Sequence, residues 1–311
     1  MNILPISVLI PTMNRPETLK RTLDTYTQAD RVPSQIVVVD QSQDTETAKE
    51  IEKIVKSFEG IETVYVYQET PSLTAARNNA LKYAKEEIIV CSDDDVDVYK
   101  DTLYNVYRVM SDESVSMIAG LDDKSGGKNG SIGYLLGTRS FKKRRIGHVT
   151  LSMLGRFPDE VKGQVDTEWA MGFFFSVKKS LIMKWNLRWD ENLTSYAFSE
   201  DLDFSYAYYK NSKKENLRCV FDETVHVKHM VSREYRVPSK KSTFMYVINR
   251  YYLSYKHNMG FRSRLAMKWC NFWRLIEKIL RKEKPGDFIN AQRCLRKNIK
   301  KVKSGEIKDL C

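Results

Sequence analysis

Three consecutive carboxylates, Asp93, Asp94 and Asp95, follow directly on the apolar run Ile88-Ile89-Val90-Cys91. Adjacent carboxylates repel one another and lower stability unless a cation or a ligand's donors offset the charge. Hard divalent cations such as Mg²⁺ and Mn²⁺ prefer oxygen ligands and bridge one or two carboxylates to substrate phosphates. The triplet is therefore either a metal–diphosphate site or an acidic turn with solvated side chains, since Asp is also favoured in turns. A second acidic pair, Glu200-Asp201, opens a segment with Phe204, Ala207 and Tyr208 at helical spacing. Acids at a helix start also complement its macrodipole, so the pair alone does not prove chemistry. His226 and His229, three apart among only four histidines, add imidazole donors of a kind that bind Mn²⁺ as well as Zn²⁺.

These groups need a scaffold, and the first third of the chain supplies one by repetition. Ser7-Val8-Leu9-Ile10 reads as a strand within Ile3 to Ile10, not as a leader peptide, and ends in Pro11-Thr12-Met13-Asn14-Arg15-Pro16. Pro16 suits the first turn of a helix carrying Leu19, Leu23 and Tyr26. Ile36 to Val39 repeats the pattern, ending at Asp40 before a polar loop and a helix with Ala48, Ile51, Ile54 and Val55. Thr63 to Tyr67 forms a third strand, Ser72 or Thr74 caps an Ala-rich helix through Ala84, and the strand from Ile88 delivers the acidic triplet. This alternation predicts an α/β fold with a mostly parallel sheet flanked by helices and ligands outside the carboxyl ends of its strands. Asp40 and the triplet fall at two such ends. Beyond them, residues 122–147 read as a Gly-rich excursion with the basic run Lys142-Lys143-Arg144-Arg145. No phosphate-loop or dinucleotide fingerprint follows a strand.

Composition bounds the answer. The chain has 311 residues, 42% of them apolar and 11% aromatic, which suits a globular protein of one large domain with an appendage, or of two domains. The longest apolar run, Trp169 to Val177, is far short of the roughly 18–20 residues of a membrane span. Five scattered cysteines without metal spacing fit reduced thiols in the cytoplasm. The net charge of +11 is uneven: residues 1–232 hold 30 Lys and Arg against 34 Asp and Glu, whereas residues 233–311 hold 21 against six. A near-neutral body with a strongly basic tail suggests an anionic partner, either a membrane leaflet or nucleic acid.

Five motifs in order, Ser7 to Pro16, the strand end at Asp40, Ala76-Arg77-Asn78, Asp93 to Asp95, and Ser199-Glu200-Asp201, resemble those of family 2 glycosyltransferases with a GT-A fold, over about residues 5–235. The resemblance implies a catalytic domain at 1–235 and a helical C-terminal region at 236–311. It implies a nucleotide site lined by Pro11, Thr12, Asn14 and Arg15, with Asp40 accepting from a uracil base and Arg77 reaching the base or diphosphate. Asp93 then lies near the ribose and Asp95 on Mn²⁺ or Mg²⁺, with Asp94 able to substitute for either. His229 falls where the family often places a metal-binding histidine. Asp201 takes the role of general base and Glu200 orients the acceptor, for a single displacement with inversion. Trp169 is the expected acceptor contact, while Phe173 to Phe175 read as core. The stretch Val231 to Lys241, with Arg233 and Arg236, reads as a loop over the donor diphosphate or as a charged linker. The absence of a Gln-x-x-Arg-Trp motif and of membrane spans points to single transfers, not polymer synthesis.

The implied partners are a nucleotide-sugar donor, UDP-sugar preferred, and a glycan or lipid-linked acceptor in cell-surface polysaccharide synthesis. From Phe244 onward the chain reads as helical, with a break at Lys284-Pro285-Gly286. Between Arg262 and Lys282, Leu265, Trp269, Phe272, Trp273, Ile276, Ile279 and Leu280 share one face, with most cations outside it. Such a helix either lies in an anionic membrane surface, placing the protein peripherally on the inner face of the cell membrane, or docks on the catalytic domain by that face. Two rivals weigh less. A nucleic-acid-binding protein does not explain Asp40, the triplet or Glu200-Asp201, because clustered carboxylates repel nucleic acid. A nucleotidyltransferase on a similar fold would want a Gly-rich first loop, and Pro11 to Arg15 has no glycine.

Overall fold

The computed structural model describes residues 3–123, 133, 136, 146–158, 160–194, 197–231 and 238–310. Four parallel strands form one half of the sheet: β1 (Ile3–Thr12), β2 (Val32–Asp40), β3 (Glu62–Tyr67) and β4 (Ile88–Ser92), in the order β3-β2-β1-β4. β1, β2 and β4 are buried almost throughout, which is why they read as continuous apolar runs instead of alternating ones. The connecting helices are α1 (Pro16–Thr27), α2 (Thr45–Lys56) and α3 (Leu73–Tyr83). Pro16 opens α1, Asp44 caps α2 through the Thr47 amide, and Ser72 caps α3 through the Ala75 amide. Because Thr12 pairs with Asp40 at the ends of β1 and β2, the first loop and the β2 loop leave the sheet side by side.

Beyond β4 the sheet is mixed, so the parallel expectation holds for one half only. β5 (Val96–Val98), α4 (Thr102–Met110), β6 (Val115–Asp122), β7 (Gln164–Asp166), β8 (Phe174–Lys178) and β9 (Arg218–His229) complete it. The order runs on as β8-β6-β9-β5. β8 lies antiparallel to both β4 and β6, whereas β6 and β9 are parallel. β5 pairs antiparallel with the far end of β9 at the sheet edge, and β7 pairs with β9 off the main path. Phe173, Phe174 and Phe175 are buried, as their run predicts. The Gly-rich excursion and Lys142 to Arg145 fall largely or wholly outside the described residues, as do Arg233 and Arg236.

Two helices, α5 (Lys179–Lys184) and α6 (Glu200–Lys214), precede and follow a loop that packs Trp189 flat on Phe204 at 3.8 Å. The C-terminal region forms α7 (Ser239–Lys256), α8 (Gly260–Leu280), α9 (Gly286–Lys297) and α10 (Ile299–Ser304). The predicted break at Pro285 separates α8 from α9. A second break at His257 to Met259 has no glycine or proline inside it to announce it. These helices share the core of the catalytic body: Val247, Ile248, Leu253, Phe288 and Val302 belong to the same apolar cluster as β1 and β4. Polar anchors join them to α6 and to the segment at Ser152. Asp203, 1% exposed, accepts from Lys256 Nζ at 2.6 Å and pairs with His257 Nε2 at 2.8 Å. Arg250, also buried, donates to the Ser152 carbonyl at 2.8 Å. No helix among the described residues is long and apolar enough to cross a membrane.

Removing one partner of a buried ion pair leaves the other uncompensated, at a cost of about 3 kcal/mol. Asp203→Ala is therefore expected to lower unfolding free energy by about that amount in urea titration. A change below about 0.5 kcal/mol would show that the Asp203 ion pair does not hold the C-terminal helices in place.

Candidate active site

The carboxylate triplet is split by chain alternation. Asp94 is 5% exposed and turns toward the first loop, where its carboxylate accepts from Thr12 Oγ1 at 2.7 Å and from Arg15 Nη1 at 3.0 Å. Burial pushes its pKa up to about 6 against the pull of Arg15 and Thr12. Asp93 and Asp95 turn to the other side and meet His229. One donor atom from each of Asp93, Asp95 and His229 lies within 4.8 Å of the others. Asp95 Oδ1 is 3.2 Å from His229 Nε2. The pairing of β5 with β9 brings these two together, since Val96, next to Asp95, sits opposite His229. The imidazole stacks on Phe173 with ring centres 4.9 Å apart. Burial opposes charge on His229, but the Asp95 hydrogen bond and the fields of Asp93 and Asp95 outweigh it and raise the pKa.

Two carboxylates and one imidazole form a donor set suited to Mn²⁺ or Mg²⁺, and their spacing fits cation–oxygen bonds of about 2.1 Å with small adjustment. Asp93 thus stands with the metal candidates, not only near a ribose. His226 lies three residues earlier on β9, outside this group, with Nδ1 3.5 Å from Asp123. A cavity of about 370 Å³ opens beside Asp95, lined by Thr18, Arg21, Thr22, Asp97, Met230 and Val231.

Glu200 and Asp201 arrive from α6. Their position is set by a tight turn in which Ala197 and Ser199 both adopt left-handed backbone, at φ 50° and 70°. Such conformations cost about 1–2 kcal/mol each in non-glycine residues. The Glu200 amide closes the turn on the Ala197 carbonyl at 2.8 Å. Asp201 Oδ2 accepts from the Gly172 amide at 3.0 Å and Oδ1 from the Leu202 amide at 2.8 Å. Each oxygen keeps a further lone pair for an incoming hydroxyl. Burial raises the Asp201 pKa, opposed by those two amides and by Arg77. Glu200 is enclosed, and burial raises its pKa to about 8 even with Arg77 beside it.

Arg77 joins the two acidic groups. The guanidinium is 2% exposed; Nη2 donates to Asp93 Oδ1 at 3.0 Å and to the Gly172 carbonyl at 2.9 Å, and Nε lies 3.5 Å from Glu200 Oε1. Gly172 therefore holds Asp201 by its amide and Arg77 by its carbonyl. A Cβ on Gly172 would sit 3.2 Å from Asp201 Cβ and 3.3 Å from Glu200 Oε1, so the residue must be small. Gly172 carries no polar side chain, and its place within an aromatic run was its only visible mark.

Six expected nucleotide contacts, Arg77, Asp40, Thr12, Arg15, Asp94 and Pro11, have protein surroundings of their own. Arg77 Nη2 is engaged by Asp93 and by the Gly172 carbonyl, while its buried Nη1 and Nε make no hydrogen bond among the described residues. Asp40 is fully buried, with Oδ1 accepting from the Ser42 amide and hydroxyl at 2.8 and 2.6 Å and Oδ2 from Tyr65 at 2.9 Å. Thr12 Oγ1 and Arg15 Nη1 each donate to one oxygen of Asp94, which is buried at 5% exposure. Pro11 is buried at the end of β1. Asn14, left-handed at φ 56°, stays partly exposed and donates its amide to Ser42 Oγ at 2.8 Å, bridging the first two loops. Trp169 corrects the acceptor expectation: it is 3% exposed, edge-on to Phe157 at 4.9 Å and pressed against Gly155, and so belongs to the core.

A sheet of this topology, with paired acids and an imidazole beside a buried-arginine link to a second carboxylate, defines a GT-A glycosyltransferase. The profile described as Glycosyl transferase family 2 matches residues 7–182, more than half of the chain, and the protein belongs to that family. No curated protein sequence matches it. Among solved structures, the chain is similar to the mannosyltransferase PcManGT from Pyrobaculum calidifontis, in complex with GDP-Man and Mn²⁺, at 14% identity and TM-score 0.56, covering 98% of this chain and 83% of that one. It is similar to GalNAc-T7 with UDP, GalNAc and Mn²⁺ at 18% identity and TM-score 0.61, covering 86% of this chain but spanning only 54% of that protein. TarS 1-349 from S. aureus matches at 16% identity and TM-score 0.50, covering 99% and 88%. At these identities the likeness is one of fold.

Two outcomes follow from the geometry. Mn²⁺ is expected to raise the melting temperature of the wild type, as a ligand bound only by the native state does, and not that of Asp95→Asn or His229→Ala. Equal shifts in all three would place the ion elsewhere. For Glu200, the native carboxyl keeps its proton up to about pH 8 while the unfolded chain releases it near 4.5. Its contribution to stability is present below the lower value and is lost as pH rises to the upper one. Glu200→Gln should therefore flatten the fall in melting temperature between about pH 5 and about pH 8, and an unchanged slope would mean that Glu200 is ionised in the native state.

Proposed function

We propose that the protein transfers one sugar per encounter from a nucleoside-diphosphate sugar to a hydroxyl of a glycan or lipid-linked acceptor, with inversion, in cell-surface polysaccharide synthesis. The observation that carries this reading is the Gly172 bridge: one residue ties Asp201 to Arg77, and Arg77 ties both to Asp93. A base for the acceptor and the donors for a cation are thereby held in one rigid unit.

Asp93, Asp95 and His229 would hold Mn²⁺ or Mg²⁺, which when bound supplies Lewis-acid neutralisation of the leaving diphosphate. Asp201 is positioned to take the acceptor hydroxyl's proton at whichever oxygen the hydroxyl approaches, while the two backbone amides keep the carboxylate from rotating. Glu200, protonated near neutrality, adds no second negative charge beside it. The sugar's anomeric carbon changes its bond from the diphosphate oxygen to the acceptor oxygen in a single displacement, which inverts the centre.

A UDP-sugar is the preferred donor through the family's use of Asp40. That carboxylate meets a base only if Ser42 or Tyr65 yields its bond, so the choice of base is the point to measure. Thermal shifts with UDP, GDP and dTDP in the presence of Mn²⁺ are expected to favour UDP; a larger shift with GDP would reassign the donor. A lipid-linked acceptor places the reaction in the cytoplasm at the inner face of the cell membrane.

Asp201→Asn is expected to cut turnover by roughly 10²-fold or more while leaving the donor's thermal shift unchanged. Glu200→Gln should lose less. The reverse order of effects would exchange the roles of the two acids.

A further inference from the structure

Helix α8 is fastened to the body by its less apolar side. Ser263, Met267, Cys270 and Asn271 are the buried positions; Ser263 Oγ donates to the Leu151 carbonyl at 2.6 Å, and Asn271 Oδ1 accepts from buried Arg250 at 3.3 Å. The opposite side carries Phe261, Leu265, Trp269, Phe272, Ile279 and Leu280, whose exposures run from 47% to 77%. Helical geometry puts these six on one strip along the full length of α8. The docked-helix expectation is thus half right: α8 docks, but with the other face.

Charge identifies what covers the strip. Between Gly260 and Glu283 there are seven Lys and Arg against two acids, Glu277 and Glu283. Glu277 is shared by Arg274 and Arg281 and Glu283 pairs with Lys278, so Arg262, Arg264, Lys268 and Lys282 carry the excess charge. Arg264 and Lys268 border the strip on one side, and Arg262 stands at its N-terminal end. A second copy of the chain facing this surface would oppose cations to cations across an apolar contact, which is unfavourable. A nucleic acid would meet the charges but leave the aliphatic side chains of Leu265, Ile279 and Leu280 wet. An anionic bilayer satisfies both components, since apolar side chains enter the acyl boundary while basic ones meet lipid phosphates.

We infer that the exposed strip of α8 is a membrane-docking surface for anionic phospholipid, with the helix lying in the plane of the interface. It deepens the lipid-linked acceptor reading by naming the surface, and its test uses no transfer reaction, so failure of one leaves the other standing. Each cation brought near such a surface raises partitioning about fivefold, so binding depends on salt.

The experiment is flotation of the full chain with vesicles of phosphatidylglycerol and phosphatidylcholine, or of phosphatidylcholine alone, at low and high salt. The protein should float with the anionic vesicles at low salt, and much less with neutral vesicles or at high salt. Leu265→Glu/Phe272→Glu should reduce binding about tenfold or more with melting temperature and donor hydrolysis unchanged, because both positions are already exposed. Lys268→Glu should reduce it by a smaller factor. Three results would overturn the inference: no flotation at low salt, equal flotation with both vesicle types, or a concentration-dependent dimer in analytical ultracentrifugation that Leu265→Glu/Phe272→Glu disperses.

Discussion

A single guanidinium, that of Arg77, stands where three acids from different parts of the chain meet. Arg77 lies inside the fold at the meeting point of α3, β4 and α6, where Asp93, Glu200 and Asp201 converge. Three carboxylates cannot share a low-dielectric site without compensation, and an arginine suits the task because its planar fork addresses several acceptors and keeps its charge when buried. The arrangement resolves the cluster's electrostatics by partition. Arg77 satisfies Asp93, two backbone amides hold Asp201, and Glu200 keeps its proton. Burial raises the pKa of both neighbouring acids, but at Asp201 the Leu202 and Gly172 amides and Arg77 oppose it, whereas at Glu200 burial prevails against Arg77.

The remainder of the architecture delivers groups to that point. The parallel half of the sheet presents four loops at its carboxyl ends, and the mixed half brings His229 and Gly172 back from later in the chain. The C-terminal helices contribute through Asp203, Lys256 and His257, which fix α6 one turn beyond the strained turn at Ala197 and Ser199. The helical region is thus packed into the same core as the GT-A body, even though its composition sets it apart as a basic tail.

Much of the fold was legible because buried parallel strands and amphipathic helices leave strong periodic marks, and because Pro16 and Ser72 announce helix starts. The site was legible in residue type but less so in role. Asp93, Asp94 and Asp95 are chemically identical, and their division is made by Thr12 and Arg15, some eighty residues away in sequence. Asp40 carries no sign of Ser42 and Tyr65 closing over it, nor Trp169 of Phe157 and Gly155. For α8 the periodicity identified the apolar face correctly, but hydrophobicity alone could not show that docking would fall to serine, methionine, cysteine and asparagine. In each case the missing information was a tertiary neighbour.

β5 is only three residues long and closes the edge of the sheet, where backbone pairing is most easily lost to water. Its first residue lies opposite His229 and directly follows Asp95, so an ion shared by those two side chains would span the outermost ladder of the sheet. Opening of that edge would have to break coordination as well as hydrogen bonds. Amide exchange along β5 and the end of β9 would then report cation occupancy directly, making the fraying rate of a sheet margin a readout of the reaction centre.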